Sequence, residues 1–255
     1  MKSTLFATLL FSASLAFLAG CVTEEPDIES PADITVAELE TKMRNAMDPD
    51  GRYAKAKTFI QRQIVSTERF LDDPEEQVVE VKFERPDNFR LTTLDDNVPL
   101  SGLIVSGGKG WMVNFSGEKI VELTPEQLDQ LKVLSGISNP DNSLSRALRE
   151  VRVTDCRTGE QEYYKITGLS RNADNPIAIY VDKKDFLIHR IKAVFQIGSQ
   201  SIRYDSTIRR YSLYEGVMIP AETTVIQNGQ EQTTRVIYYR LDAVIPASDF
   251  RPPVF

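Results

Sequence analysis

The stretch Val78-Val79-Glu80-Val81-Lys82-Phe83-Glu84-Arg85-Pro86-Asp87-Asn88-Phe89-Arg90-Leu91-Thr92-Thr93-Leu94 decides the fold. Val79, Val81 and Phe83 alternate with Glu80, Lys82 and Glu84, the period-two pattern of a strand with one buried and one wet face. Arg85-Pro86-Asp87-Asn88 carries turn chemistry, and Phe89 to Leu94 returns as the antiparallel partner. A second hairpin follows: Leu103 to Ser106, a turn at Gly107-Gly108-Lys109-Gly110, then Trp111 to Phe115. Hairpins in succession build a meander.

Upstream, Val36, Leu39, Met43 and Met47 have the spacing of an amphipathic helix, with Thr35 as N-cap and Glu38 as its capping-box partner. Asp48-Pro49-Asp50-Gly51 ends that helix. Downstream, between Pro125 and Val151, Leu128, Leu131 and Leu134 and then Leu144 and Leu148 predict short helices separated by Ser138-Asn139-Pro140-Asp141. Strands resume at Tyr163 to Ile166 and continue to Thr233 to Leu241, punctuated by turns such as Asp182-Lys183-Lys184-Asp185 and Asn228-Gly229. The expected class is α+β: a strongly curved antiparallel sheet, an incomplete barrel of about 10–11 strands, with helices on its concave side.

The N-terminus reads differently. Lys2 precedes an apolar run from Leu5 to Leu18 that, at roughly 14 residues, is shorter than the ~20 a spanning helix needs and has the form of an export signal. Leu18-Ala19-Gly20-Cys21 resembles the bacterial lipobox, which implies cleavage between Gly20 and Cys21 and acylation of Cys21. The alternative is an ordinary secreted chain whose cleavage site happens to precede a cysteine. The expected organisation is a signal peptide at 1–20, a lipidated flexible tether at 21–33, acidic and Pro-containing, and one domain at 34–255. Val22 follows the lipidated position where an Asp would retain the protein at the inner membrane. The expected address is therefore the periplasmic face of the outer membrane, or the outer face of the plasma membrane in another type of envelope.

A net charge of −7 with no Lys/Arg-rich block argues against nucleic acid and against electrostatic adhesion to anionic lipid. Enzymatic constellations are missing. His189 is the only histidine and sits in a strand pattern, and there is no Gly-x-Ser-x-Gly elbow, metal-ligand spacing or phosphate loop. Cys156 stands beside Asp155, whose charge disfavours a thiolate. Neither catalysis, cofactor nor metal is expected.

Taken together, the segments resemble the LolA/LolB-like periplasmic carriers and the lipid-binding mycobacterial lipoproteins of the same half-barrel fold. The resemblance rests on Val81 to Arg90, Leu103 to Trp111, Ile179-Tyr180-Val181-Asp182, Gly216-Val217-Met218-Ile219-Pro220 and Ala247 to Pro253. It implies a cavity for lipid or lipoprotein acyl chains, lined by Val81, Phe83, Phe89, Leu91, Trp111, Val113 and Phe115, the last three either lining or core. It also implies a gating or transfer role for Arg85, whose alternative is an exposed turn arginine. Membrane contact falls to Val98 and Leu100, or to Phe70-Leu71. Gly107 departs from the family's usual Asp, and the acylated Cys21 departs from its soluble shuttles, pointing to an anchored receptor. The function expected is a monomeric, membrane-anchored lipid or lipoprotein carrier; the alternative is an envelope sensor that binds a partner protein.

Overall fold

A computed structural model describes residues 26–67, 75–138 and 144–255. Gly20, Cys21, Phe70 and Leu71 lie outside the described residues, as does most of the predicted 138–141 linker. In chain order the elements are β1 (Ile28–Pro31), α1 (Val36–Met47), α2 (Arg52–Lys55), β2 (Thr58–Thr67), β3 (Glu75–Glu84), β4 (Asn88–Asp95), β5 (Val98–Ser106), β6 (Lys109–Asn114) and β7 (Lys119–Glu122). They continue with α3 (Pro125–Ser138), α4 (Leu144–Ala147), β8 (Leu148–Thr158), β9 (Gln161–Ser170), β10 (Pro176–Asp182), β11 (Ile188–Ile197), β12 (Gln200–Tyr214), β13 (Val217–Gln227), β14 (Gln230–Leu241) and a 3-10 turn at Ala247–Phe250.

Among the described residues 14 strands form one antiparallel sheet in the order β1-β8-β9-β10-β11-β12-β13-β14-β2-β3-β4-β5-β6-β7, curved and not closed into a barrel. The class is as expected, but the strand number exceeds the 10–11 read from the sequence. Two of the additional strands are the four-residue edges β1 and β7, too short and too exposed to show a period. β8 starts at Leu148, so the Leu144/Leu148 spacing belongs to one helical turn and the first residue of a strand. Ile28–Pro31, which the sequence placed in a flexible stretch, pairs as a strand with Thr154–Arg157 of β8.

Local chemistry explains the elements. Thr35 and Glu38 form the reciprocal capping box of α1, whose Leu39, Met43 and Met47 are buried. Asn228-Gly229 takes φ of 50° and 84°, the double left-handed conformation of a two-residue hairpin turn. The main core joins Leu39 and Met43 of α1, Val133 and Ile137 of α3 and Leu144 of α4 to Ile166, Ile179, Ile191 and Phe195 of the sheet. Each such fully buried side chain contributes about 1.5–3 kcal/mol. A second cluster holds Tyr53, Val217, Ile219, Val236 and Tyr239. The helices thus cover the concave face mainly over β8, β11 and β13.

Candidate functional site: the concave face of β2 to β6

Directly paired residues of an antiparallel sheet share a face. Starting from Phe83, the register runs Phe59–Phe83–Phe89–Val105, and the adjacent row runs Tyr239–Gln61–Val81–Leu91–Leu103–Met112. These rows continue the face that the helices cover at β8 to β13. Phe59 stacks on Phe83 at 5.1 Å and on Tyr239 at 5.5 Å. Val81, Leu103 and Val105 are buried, whereas Phe59, Phe83, Phe89, Leu91 and Met112 keep partial exposure. The result is a partly exposed, mainly apolar strip of the curved sheet, the trough, beside its helix-covered half.

The start of α3 closes one side of it. A Cβ on Gly110 would meet Leu123 Cδ1 at 2.6 Å and Leu128 Cδ1 at 3.3 Å, so the chain entering α3 packs its leucines directly on the β6 backbone, and a side chain here would make Leu123 shift. From there α3 reaches across to β11 and α4.

Of the expected lining residues, Val81, Phe83, Phe89 and Leu91 come together here. Trp111, Val113 and Phe115 do not. Trp111 pairs with Ile104 and Val113 with Gly102, which lie on the other, convex face, and Phe115 reaches the same side against Gly102. The convex side there is covered by the C-terminal segment: Lys82 Nζ binds Asp249 at 2.9 Å, Arg90 donates to the Asp249 carbonyl at 3.1 Å, and Phe115 meets Phe255 edge-on. Three hairpin details cause the split. The three-residue connection between β3 and β4, and the bulge in β5, keep odd-numbered residues on one face; the two-residue Gly107-Gly108 turn exchanges odd for even.

Arg85 is not an exposed turn arginine. Its guanidinium donates to the carbonyls of Ala56 and Tyr53, both at 2.9 Å, and lies 5.0 Å from the Tyr53 ring centroid. It ties the β3–β4 turn to the C-terminal end of α2, at the rim of the trough. Val98 is 61% exposed at the tip of the β4–β5 hairpin, and Leu100 is partly buried. By strand alternation this hairpin lies on the rim opposite the Arg85 turn, and the start of β1, beside the β8–β9 turn, shares the Arg85 rim.

The convex face of β8 to β11 carries a polar cluster that sequence reasoning missed. Asp27 accepts hydrogen bonds from Lys165, Tyr180 and Thr158, each at 2.7 Å, and Glu29 accepts from Lys165 at 2.6 Å and Thr154 at 2.9 Å. Burial opposes the Asp27 charge, but the bonds from Lys165, Tyr180 and Thr158 and the Lys165 charge outweigh it and hold the carboxyl down at about 2. Burial also opposes the Lys165 ammonium, whose bonds to Asp27 and Glu29 push it up. The Tyr180 phenol rises through burial and then its bond to Asp27. A signal existed only in the alternation of Asp27 and Glu29, hidden in a segment of tether composition. Nearby, an open groove of about 520 Å³ is lined by Arg152, Lys165, Thr167, Ala178 and Lys192 among others.

Cys156 is buried, and its thiol is pushed up by burial and then by the Asp27 charge. His189 faces Asp185 at 3.3 Å on an open strand end. Among the described residues no group of three His, Cys, Asp or Glu is placed to hold a metal ion, and no helix is long and apolar enough to cross a membrane.

No family model and no curated protein matches the sequence. Solved structures do match the fold. A LolA superfamily protein from Nitrosomonas europaea superposes with a TM-score of 0.61 at 11% identity, over 86% of this chain and 98% of that one. A DUF1329 family protein from Desulfovibrio piger gives 0.59 at 10% identity, over 84% and 94%. A putative outer membrane lipoprotein-sorting protein domain from Vibrio parahaemolyticus gives 0.56 at 10% identity, over 83% and 94%. The chain therefore shares the fold of LolA superfamily proteins.

Proposed function

We propose that the chain is an envelope-anchored binding protein that lays acyl chains of a lipid or lipoprotein along the trough of β2 to β6. The observation that supports it is the row of large apolar side chains, Phe59, Phe83, Phe89, Leu91 and Met112, left partly exposed on the concave side of a curved sheet. A core residue in a filled interior is buried; these are not. Acyl chains gain about 0.8 kcal/mol per buried methylene from such a surface without any directional contact. Binding, not catalysis, is the activity this surface serves.

The finer parts of the reading concern the ends of the chain. The signal peptide at 1–20, acylation of Cys21 and outer-membrane placement belong to the proposal. Six residue steps separate Cys21 from Asp27, a reach of about 20 Å. An anchor of that length holds the Arg85 rim near the bilayer. Val98 and Leu100 then touch the same bilayer only if the sheet lies along it. Arg85, fixed on the α2 carbonyls at the rim, is the proposed gating residue. A protein held at one membrane receives, holds or delivers cargo there and does not ferry it.

The test is the full chain carrying Cys21→Ala, purified and assayed by native mass spectrometry for bound amphiphiles and by fluorescent fatty-acid titration. Saturable one-to-one acyl binding that weakens in Phe89→Ala is the expected result; an empty chain that takes up no probe overturns the reading.

A further inference from the structure

The groove on the convex face of β8 to β11 is shaped by which side chains are small. Ile166, Ile179 and Ile191 belong to the core, so alternation puts Thr167, Ala178 and Lys192 on the convex side. The register Arg152–Thr167–Ala178–Lys192 then sets two small side chains between two long cationic ones, across three strand spacings or about 14 Å. Leu169, Pro176 and Val194 make an apolar wall along one side of this dip. Lys165 lines the other, paired with Tyr180, and the ammoniums of Lys165 and Lys192 lie 5.5 and 5.7 Å from the Tyr180 ring centroid. The groove holds about 520 Å³, the size of a small-molecule site.

Its charges are arranged for an anion. β8 bulges between Arg149 and Arg152, with Glu150 at a φ of 55°, and the bulge brings both guanidiniums to the convex face, Arg149 opposite Leu169 and Arg152 opposite Thr167. Arg149 takes the nearby acids, binding Glu150 and Asp174. Lys165 is committed to Asp27 and Glu29. Arg152 makes no hydrogen bond or ion pair among the described residues. The unmatched charge therefore sits at the β8 end of the dip, as a planar guanidinium whose paired N–H donors fit an oxyanion. Thr167 adds a hydroxyl donor beside it. We propose that the groove binds a small dissolved organic oxyanion, a phosphate ester or carboxylate on a compact apolar body. Its anionic group pairs with Arg152 and Thr167, and its body lies over Ala178 against Pro176 and Val194. The net charge of −7 holds an anionic bilayer off, which makes a dissolved molecule the source. This site is on the opposite side of the sheet from the trough and stands or falls independently of acyl binding there.

The full chain carrying Cys21→Ala is titrated at low ionic strength with phenyl phosphate and, separately, with benzoate, and amide NMR shifts locate the contact. The expected result is saturable shifts at Arg152, Thr167 and Ala178 with at least one of the two, while Phe83 and Phe89 of the trough stay in place. Phenol, which lacks the charge, moves none of them. Inorganic phosphate, which lacks the apolar body, moves the same amides with weaker affinity. Arg152→Gln lowers the affinity about ten-fold or more. Ala178→Leu, which keeps every charge and fills the floor, does the same, and the unchanged remainder of each spectrum shows that both variants fold. Shifts that phenol reproduces, shifts that never saturate and spread over cationic residues on all faces, an affinity unmoved by Arg152→Gln, or no shift at all overturns the proposal. So does sedimentation with phosphatidylglycerol vesicles that Arg152→Gln abolishes while phenyl phosphate and benzoate move nothing, because the groove then meets a lipid surface.

Discussion

Lys165 Nζ stands 2.7 Å from Asp27 Oδ2, and this pair, with the bonds from Tyr180 and Thr158, fastens the start of the edge strand β1 to β8 and its neighbours. All four residues of β1 are exposed, so the strand gains no apolar burial and depends on its ladder with β8 and on the ions beside it. The Asp27 carboxyl sits at about 2 in the folded chain, below the ordinary value near 4. A depressed carboxyl stabilises the fold above its unfolded value and loses that contribution as pH falls through the folded one. Amide protection of β1 in hydrogen exchange, corrected for intrinsic rates, should hold at pH 5 and fade between about pH 4 and 2. Lys165→Met should produce the same loss at pH 7. Protection that survives at the acidic end would show that the ladder alone suffices.

The guanidinium of Arg85 supplies donors to two carbonyls at the end of α2. Removing it leaves those oxygens, and the Tyr53 ring face, without their cation. Arg85→Met should cost about 2 kcal/mol, the range of charge-assisted hydrogen bonds. Arg85→Lys should recover less than half of that, because one ammonium does not fork to two carbonyls as a planar guanidinium does. Urea unfolding reads this as a lowered midpoint at unchanged slope. A Lys variant as stable as the wild type would mean that charge alone matters there.

How much of this was legible in the residues varies with the distance over which each signal acts. The capping box at Thr35 and Glu38, the Asn228-Gly229 turn and the alternation of β3 are local and stand as read. β1 was hidden because a strand pinned by ions looks, in composition, like an acidic tether. The faces of β6 were hidden for a different reason. Whether Trp111 shares a side with Leu91 depends on a bulge in β5 and on the length of the Gly107-Gly108 turn, which together set parity across two hairpins. Alternation within one strand cannot carry that information, since a shift of one residue exchanges the faces.

The two halves of the concave face should respond differently to truncation. Phe195 is 1% exposed within the helix-covered core, whereas Phe89 keeps partial exposure in the trough. Phe195→Ala should cost about 3–5 kcal/mol, the range for a buried aromatic that leaves a cavity. Phe89→Ala should cost about 1–2 kcal/mol, because less of its surface leaves water on folding. Thermal or urea unfolding of the two variants checks the order, and acyl-probe titration should reverse it, with Phe89→Ala losing several-fold more affinity. If both truncations cost the same in stability, the trough is ordinary core.

Trp111 is the only tryptophan of the chain, which makes its placement directly measurable. It pairs with Ile104 on the convex face, while the proposed acyl chain lies on the concave face a full sheet thickness away. Bromine quenches indole fluorescence only at near contact, so a ligand carrying bromine on its chain should leave Trp111 emission almost unchanged at saturation. In Trp111→Phe combined with Phe89→Trp, the new indole sits in the trough, and the same brominated ligand should quench most of its emission. The pair of measurements reads the side of the sheet independently of affinity. Strong quenching of Trp111 with none at position 89 would place the ligand under the C-terminal segment, beside Phe115 and Phe255, and would reverse the assignment of faces on which the carrier reading depends.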